Sequence, residues 1–248
     1  MKKQHLDLSI FEKFNFERKP VGVKFLMSRP DGIKQLEEKL ALCEMFKEAQ
    51  ESSPFYAVKD SFECKAGPLI LGMEGNDPVF ESGQIGPMLG AYEDARANRR
   101  VYQQIPVLSS NSVNYVAFAG MDELSFEPDV FIVTASPGQA EIILRAASYR
   151  SGEMWHGKGT TVIGCAWLYL QPYVSGELNI MITGLYHGMK ARNVFPEGLL
   201  LISIPFDLLP EIVNNLYRME WYLPQFSQGK EAHIERMKNI VQELKDEN

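Results

Sequence analysis

Three stretches of the chain share one pattern of apolar and polar positions. In each, a short apolar run is followed by a polar turn and then by apolar residues three or four positions apart. Such a run predicts a buried strand, and the later spacing predicts a helix with one buried face. Ser136 followed by Pro137 is the clearest start signal of a helix among them. We therefore predict three strand–turn–helix units, at residues 20–50, 130–147 and 199–219.

The first unit carries a cysteine on its predicted helix. After a strand at 20–26, Asp31 is the predicted N-cap of a helix that runs to about Gln50. Apolar side chains then recur at intervals of three, four and three, at Ile33, Leu36, Leu40 and Cys43. This spacing predicts one helix over the whole segment, with Cys43 on its apolar face.

Between these units lie apolar runs that no helical pattern separates. They predict strands at 112–119, 160–170 and 178–183, with residues 171–177 as a hairpin connection between the last two. Consecutive strands of this kind pair antiparallel. An amphipathic helix ends the chain, with Ile234, Met237, Ile240, Val241 and Leu244 on one side. The fold class that follows is α/β (α+β), a single domain over residues 1–248 with a mixed β-sheet flanked by helices.

Composition narrows the classes of function and the compartment. The 248 residues carry a net charge of -7, which argues against nucleic acid as a partner. No apolar run approaches the roughly 18 residues of a membrane span, so no membrane association is expected. Charged residues interrupt the N-terminus before a signal peptide could form. The chain has three cysteines, an odd number that cannot all pair in disulfides within one chain, which favours reduced thiols. We therefore expect a cytoplasmic protein.

Residues 72–90 hold glycine and proline at a density that no other segment reaches. A loop of this length is often functional, and glycine lets a ligand approach the backbone closely. The sequence has neither a P-loop motif nor a dinucleotide-binding glycine motif. We predict that this segment binds a small molecule or cofactor near Gly72, Gly75, Gly83 and Gly86. The alternative is that it contacts a second subunit, in which case the protein is a homo-oligomer.

The three cysteines are the candidate metal ligands. Thiolates are soft donors that hold iron–sulfur clusters or thiophilic metals, and Cys43, Cys64 and Cys165 would leave one coordination position open. The chain has no C-x-x-C motif, and buried cysteines often pack simply as small apolar residues. His187, in a glycine-containing loop, is the candidate fourth ligand, and Arg192 nearby could hold an anion.

Several short segments, in this order and spacing, resemble one prokaryotic family, domain of unknown function 169. The resemblance covers nearly the whole chain and rests on the following segments: Pro20-Val-Gly-Val-Lys-Phe25, Cys43 in its helix, Cys64 with Gly67, residues 71–72, 128–132, 137 and 139–140, the Cys165 segment, and Ile204-Pro205. It implies that cysteines recur at the positions of Cys43, Cys64 and Cys165, and hence a shared thiolate site.

Two hypotheses of different classes follow. In the first, Cys43, Cys64 and Cys165, with or without His187, bind an iron–sulfur cluster or another thiophilic metal. Within it, an enzyme would also need a proton donor such as His187 or Glu63, whereas an electron carrier would not. In the second, the protein is a non-metal small-molecule-binding or assembly protein with structural cysteines. The sequence does not choose between them.

Overall fold

A computed structural model describes residues 6–75, 77–183 and 186–246. Its centre is a seven-stranded sheet in the order β2-β3-β4-β1-β5-β7-β6. Within the described residues, β2 and β3 are the one parallel pair, and the other neighbours run antiparallel. The strands are β1 Val21–Leu26, β2 Lys34–Gln35, β3 Phe55–Ala57, β4 Tyr115–Gly120, β5 Val130–Ala135, β6 Asn179–Ile182 and β7 Leu200–Pro205. The predicted mixed sheet flanked by helices is confirmed.

Helices cover both faces of this sheet. The first half of the chain supplies α1 Leu42–Glu51, α2 Ala66–Ile70, α3 Pro78–Glu81, α4 Ile85–Met88 and α5 Ala95–Gln104. The second half supplies α6 Pro137–Ser148, α7 Gln171–Ser175, α8 His187–Ala191, α9 Leu209–Arg218 and α10 Gln225–Asp246. A π-helical turn, Ala166–Leu170, leads directly into α7, and 3-10 turns cover Ser9–Phe14, Lys59–Ser61, Met121–Glu123 and Phe206–Leu208.

Strand β5 shows how the sheet separates two apolar cores. Its side chains alternate between faces, as the period of two in a strand requires. Val130 and Ile132 join the core that contains α1 and the π-helical turn. Phe131 and Val133 join the core that contains α6 and α9. We call these two sides the thiol face and the α6/α9 face, because all three cysteines pack on the first.

The predictions for the α6/α9 face are confirmed. Helix α6 begins after Ser136, whose hydroxyl accepts from the N–H of Gln139, while the Gln139 side chain accepts from the N–H of Ser136 at 2.8 Å. This reciprocal capping box, with Pro137 at the first helical position, is the start that the sequence indicates. The third unit likewise forms β7 and then α9.

The single helix predicted over residues 31–50 is wrong in its first half. Residues 34–35 instead form β2, and helix α1 begins only at Leu42. The backbone of this stretch forms hydrogen bonds with a segment about twenty residues later in the chain, as in a β-sheet. Leu36 N–H donates to the Tyr56 carbonyl at 2.8 Å, and Leu40 N–H donates to the Ser61 carbonyl at 3.0 Å. Tertiary pairing therefore replaces the helical hydrogen bonds that the apolar spacing predicts.

The strand predicted at 160–170 is also wrong. The chain turns helical at Gly164, forms the π-helical turn and continues into α7, so the predicted hairpin connection at 171–177 is wrong as well. Every residue of Ala166–Leu170 is buried, which removes the periodicity that separates a helix from a strand.

In the part of the chain that the structure describes, no helix is long and apolar enough to cross a membrane.

Candidate functional site

The three cysteines come from three distant segments and meet on the thiol face. Cys43 is the second residue of α1, Cys64 lies just before α2, and Cys165 lies just before the π-helical turn. All three are free thiols. The Cys165 thiol donates a hydrogen bond to the Cys43 sulfur, and Cys64 is close enough to act electrostatically on both. The structure thus brings together the set that the sequence analysis singled out.

A short bridge between backbone segments places Cys43 beside Cys64. Leu40 and Phe62 form an isolated parallel pairing, and Glu63 N–H donates to the Leu40 carbonyl at 3.0 Å. Gly67 allows α2 to approach closely, since a Cβ at that position would lie 2.6 Å from the Phe62 ring. Each cysteine follows this bridge within three residues, so its position is set by backbone contacts.

Tyr169 joins the third cysteine to the first. It lies four residues after Cys165, is fully buried, and donates its hydroxyl to the Leu42 carbonyl at 3.1 Å. Burial raises the pKa of this tyrosine well above its ordinary value. Ile163, two residues before Cys165, has a φ of 54°, which a β-branched residue adopts only where its surroundings impose it. The Cys165 segment is therefore held in place at both ends.

The Cys64 sulfur lies where two helices begin. It accepts hydrogen bonds from the backbone N–H groups of Leu42, at the start of α1, and of Gly67, at the start of α2. No side chain of the residue before either helix caps it by a hydrogen bond. Helix N-termini carry partial positive charge, and N–H groups directed at sulfur favour the thiolate form.

Arg192 lies beside the thiols and pairs with two glutamates. Its Nε is 3.4 Å from Glu44 Oε2, and its Nη2 is 3.9 Å from Glu63 Oε2. Each glutamate is the chain neighbour of a cysteine, in the dipeptides Cys43-Glu44 and Glu63-Cys64. The guanidinium also acts electrostatically on the Cys43 and Cys64 thiols. The positive charge of Arg192 therefore stabilises negative charge on the Cys43 and Cys64 sulfurs.

These surroundings separate the acidities of the three thiols. The hydrogen bond from Cys165 lowers the pKa of Cys43, against the effect of burial, and Arg192 lowers it further. The same hydrogen bond, followed by burial, raises the pKa of Cys165 well above its ordinary value. Burial raises the pKa of Cys64. Cys43 is therefore the first of the three to ionise.

His187 lies on the segment that also carries Arg192. It begins α8, its backbone N–H donates to the Thr161 carbonyl at 2.9 Å, and among the described residues it has no hydrogen bond or ion pair to a thiol. The side chain from this segment that reaches the thiols is Arg192. Across residues 6–75, 77–183 and 186–246, no three or more His, Cys, Asp or Glu side chains are already arranged to hold a metal ion.

The comparisons with known proteins place the chain in a family. The model of domain of unknown function 169, described as uncharacterised ArCR, matches residues 9–215. The chain belongs to this family. Neither the curated proteins nor the solved structures contain a significant match to it. All three cysteines and Arg192 lie inside the matched range of this domain-169 protein, whereas α10 lies beyond it.

Three glycines of residues 72–90, namely Gly72, Gly83 and Gly86, allow close packing in this domain-169 protein. Gly72 and Gly83 have φ values of 68° and 72°, and a Cβ on either would lie 2.3 Å or less from a backbone oxygen. A Cβ on Gly86 would lie 2.6 Å from the Asn98 side chain, and Gly75 has open space. A cavity of about 280 Å³ lies nearby, but none of these four glycines lines it. Cofactor binding by them stays a prediction.

Proposed function

We propose that this protein binds a thiophilic metal ion or an iron–sulfur cluster through Cys43, Cys64 and Cys165. The observation that carries the proposal is the meeting of three free thiols from distant segments, beside backbone N–H donors and one arginine. Cysteines packed only as apolar residues need no such donors. Amide hydrogen bonds to sulfur also tune the potential of cysteine-ligated metal centres.

The contact between two of the thiols bears on the kind of metal centre. Two thiolates on one tetrahedral ion, each with a bond of about 2.3 Å, lie roughly 3.8 Å apart. Cys43 and Cys165 are neighbouring thiols, and side-chain rotation to that separation would let them share a single ion. The Cys64 side chain would have to turn toward this pair, because the three sulfurs are not arranged as a ligand set in the described structure.

Charge supports the same proposal. Three thiolates on a divalent ion leave a net negative charge, which is costly to bury without a counter-charge. Arg192 supplies that charge beside Cys43 and Cys64. Three protein ligands leave a fourth position for water or a small molecule, and His187 stays a prediction as a fourth ligand. Free thiols as ligands need a reducing compartment, so the proposal includes a cytoplasmic location.

The test is metal and acid-labile sulfide analysis, with an absorption spectrum, on the full chain purified without oxygen. We expect bound metal in the wild type, either as purified or after incubation with Co²⁺ or with iron and sulfide. Changing Cys43, Cys64 or Cys165 to Ser should each abolish retention while the circular dichroism spectrum stays unchanged. H187A tests the fourth ligand, with H156A as the matched loop histidine.

Metal-free, colourless protein after both incubations would overturn the proposal, and so would full retention by every Cys→Ser variant. Either outcome would favour the second hypothesis, a small-molecule-binding protein with structural cysteines. The observation behind that hypothesis is the 280 Å³ cavity between α2, α3 and α5. Four apolar side chains line it together with Asp77, Glu81, Arg99, Tyr102 and Gln103, and it suits a small ligand that has an apolar body and polar groups.

A further inference from the structure

We propose that Cys43 and Cys165 form a reversible intramolecular disulfide when a peroxide oxidises them. This modification concerns two of the three thiols and needs no bound metal. It therefore goes beyond the proposed metal site and can be tested apart from it.

The geometry of the pair carries the proposal. The two thiols are neighbours that interact with each other, and both pack against the same core on the thiol face. Side-chain rotation then has to close the remaining gap to an S–S bond of about 2.05 Å. The hydrogen bond from the Tyr169 hydroxyl to the Leu42 carbonyl, at 3.1 Å, ties together the two backbone segments that carry the cysteines.

Cys64 is placed differently from this pair. Its sulfur accepts hydrogen bonds from the N–H groups of Leu42 and Gly67, which hold it at the start of two helices. Forming a bond to either of the other sulfurs would break these contacts. The structure therefore favours Cys165, and not Cys64, as the partner of Cys43.

The oxidation balances with a peroxide as the oxidant. The Cys43 sulfur attacks one oxygen of hydrogen peroxide, the O–O bond breaks, and the products are a sulfenic acid on Cys43 and one water. The Cys165 sulfur then attacks the Cys43 sulfur, its proton leaves with the hydroxyl group as a second water, and the S–S bond forms. The two thiols lose two electrons and two protons in total, and the peroxide is reduced to two waters.

A small oxidant can approach the thiols from one side. Cys43 is only 5% exposed, which excludes bulky reagents. Cys64 lines a surface groove of about 170 Å³ together with Lys39, Lys59 and Lys65. This groove brings solvent to Cys64, and Cys165 is itself partly exposed. Hydrogen peroxide is close to water in size, so it suits this entrance.

One consequence rests on the proposed function. If Cys43, Cys64 and Cys165 bind a metal, the disulfide removes two of its three ligands. Oxidation would then release the metal, and a bound metal would protect the thiols from peroxide. The disulfide itself does not depend on this link.

The experiment uses the full chain, reduced, treated with a chelator and then exposed to hydrogen peroxide. We expect the number of titratable thiols in the denatured protein to fall from three to one, with a mass loss of two hydrogen atoms. Peptide mapping should identify a link between Cys43 and Cys165, and dithiothreitol should restore three thiols. C64S should form the same link, whereas C43S and C165S should not.

A link that involves Cys64, a disulfide between two chains, or oxidation of Cys43 to sulfinic acid without any disulfide would each overturn the proposal. Metal content is measured separately on untreated protein. A failure of disulfide formation is therefore distinguishable from a failure of metal binding. The C64S variant separates the two further, because it removes a proposed ligand and keeps the disulfide pair.

Discussion

Helix α6, on one face of the sheet, and helices α1 and α2, on the other, begin in different ways. On the α6/α9 face, Ser136 and Gln139 satisfy the first amides of α6 within the same helix. On the thiol face, the residues before α1 and α2 supply no capping side chain, the Glu44 carboxylate accepts from the N–H of Ala41, and the N–H groups of Leu42 and Gly67 donate to the Cys64 sulfur. Helices that cap themselves leave nothing for a ligand, whereas uncapped helix starts leave donors that stabilise negative charge. The starts of α1 and α2 therefore direct N–H donors at a cysteine sulfur, whereas the start of α6 does not.

A matched pair of glycine substitutions gives the largest expected contrast between the faces. G67A would push a Cβ into the Phe62 ring, and we expect a loss of about 1–3 kcal/mol of unfolding free energy through overpacking. G138A, at the start of α6, has open space around the new Cβ and should stabilise by about 0.4–1 kcal/mol. Urea unfolding measures both. Equal effects at the two positions would show that α2 is not held tightly against the thiol site.

Loss of the Tyr169 hydroxyl should have a smaller effect. Y169F removes the hydrogen bond to the Leu42 carbonyl, and we expect a loss of about 1 kcal/mol of unfolding free energy. The control is Y102F on α5, where the hydroxyl accepts a long hydrogen bond of 3.4 Å from Asn98. Thiol alkylation should also become faster in Y169F, because the Cys165 segment is released. Unchanged stability and unchanged alkylation together would argue against Tyr169 as the link.

Removing the charge of Arg192 should change acidity more than stability. Its ion pairs with Glu44 and Glu63 are long, so R192Q should lose less than about 1 kcal/mol of unfolding free energy. Without the positive charge, the pKa of Cys43 should rise, because the guanidinium helps to lower it. The pH profile of Cys43 alkylation should then shift to higher pH. K190Q removes an exposed pair with Glu197 from the same segment and should leave the profile unchanged.

The sequence predicted the α6/α9 face well and the thiol face poorly. Ser136 and Pro137 mark the start of α6 through local chemistry, so the boundary follows from neighbouring residues alone. Leu40 sits at helical spacing from Cys43, yet it bonds to the distant segment around Phe62. Every residue of Ala166–Leu170 is buried, so its sequence shows no period that would separate a helix from a strand.

Part of the candidate site could also be predicted. The three cysteines are candidate ligands by residue type alone. A glutamate stands next to two of them, in Cys43-Glu44 and Glu63-Cys64, and this repeated pairing is a sequence signal for a basic residue that both glutamates share. Arg192 was considered as an anion holder, and its pairing with both glutamates appears only in three dimensions. His187 stays a prediction as a fourth ligand, whereas Arg192 acts electrostatically on the Cys43 and Cys64 thiols.

The sequence by itself determined the central strands, the helices that cap themselves and the supply of soft donors. Each of these depends on residues within a few positions of one another, where periodicity and capping act. Tertiary structure alone decided that Cys43, Cys64 and Cys165 meet. That meeting depends on the pairing of Leu40 with Phe62 and on the hydrogen bond from Tyr169 to Leu42, and both join segments that are far apart in the chain.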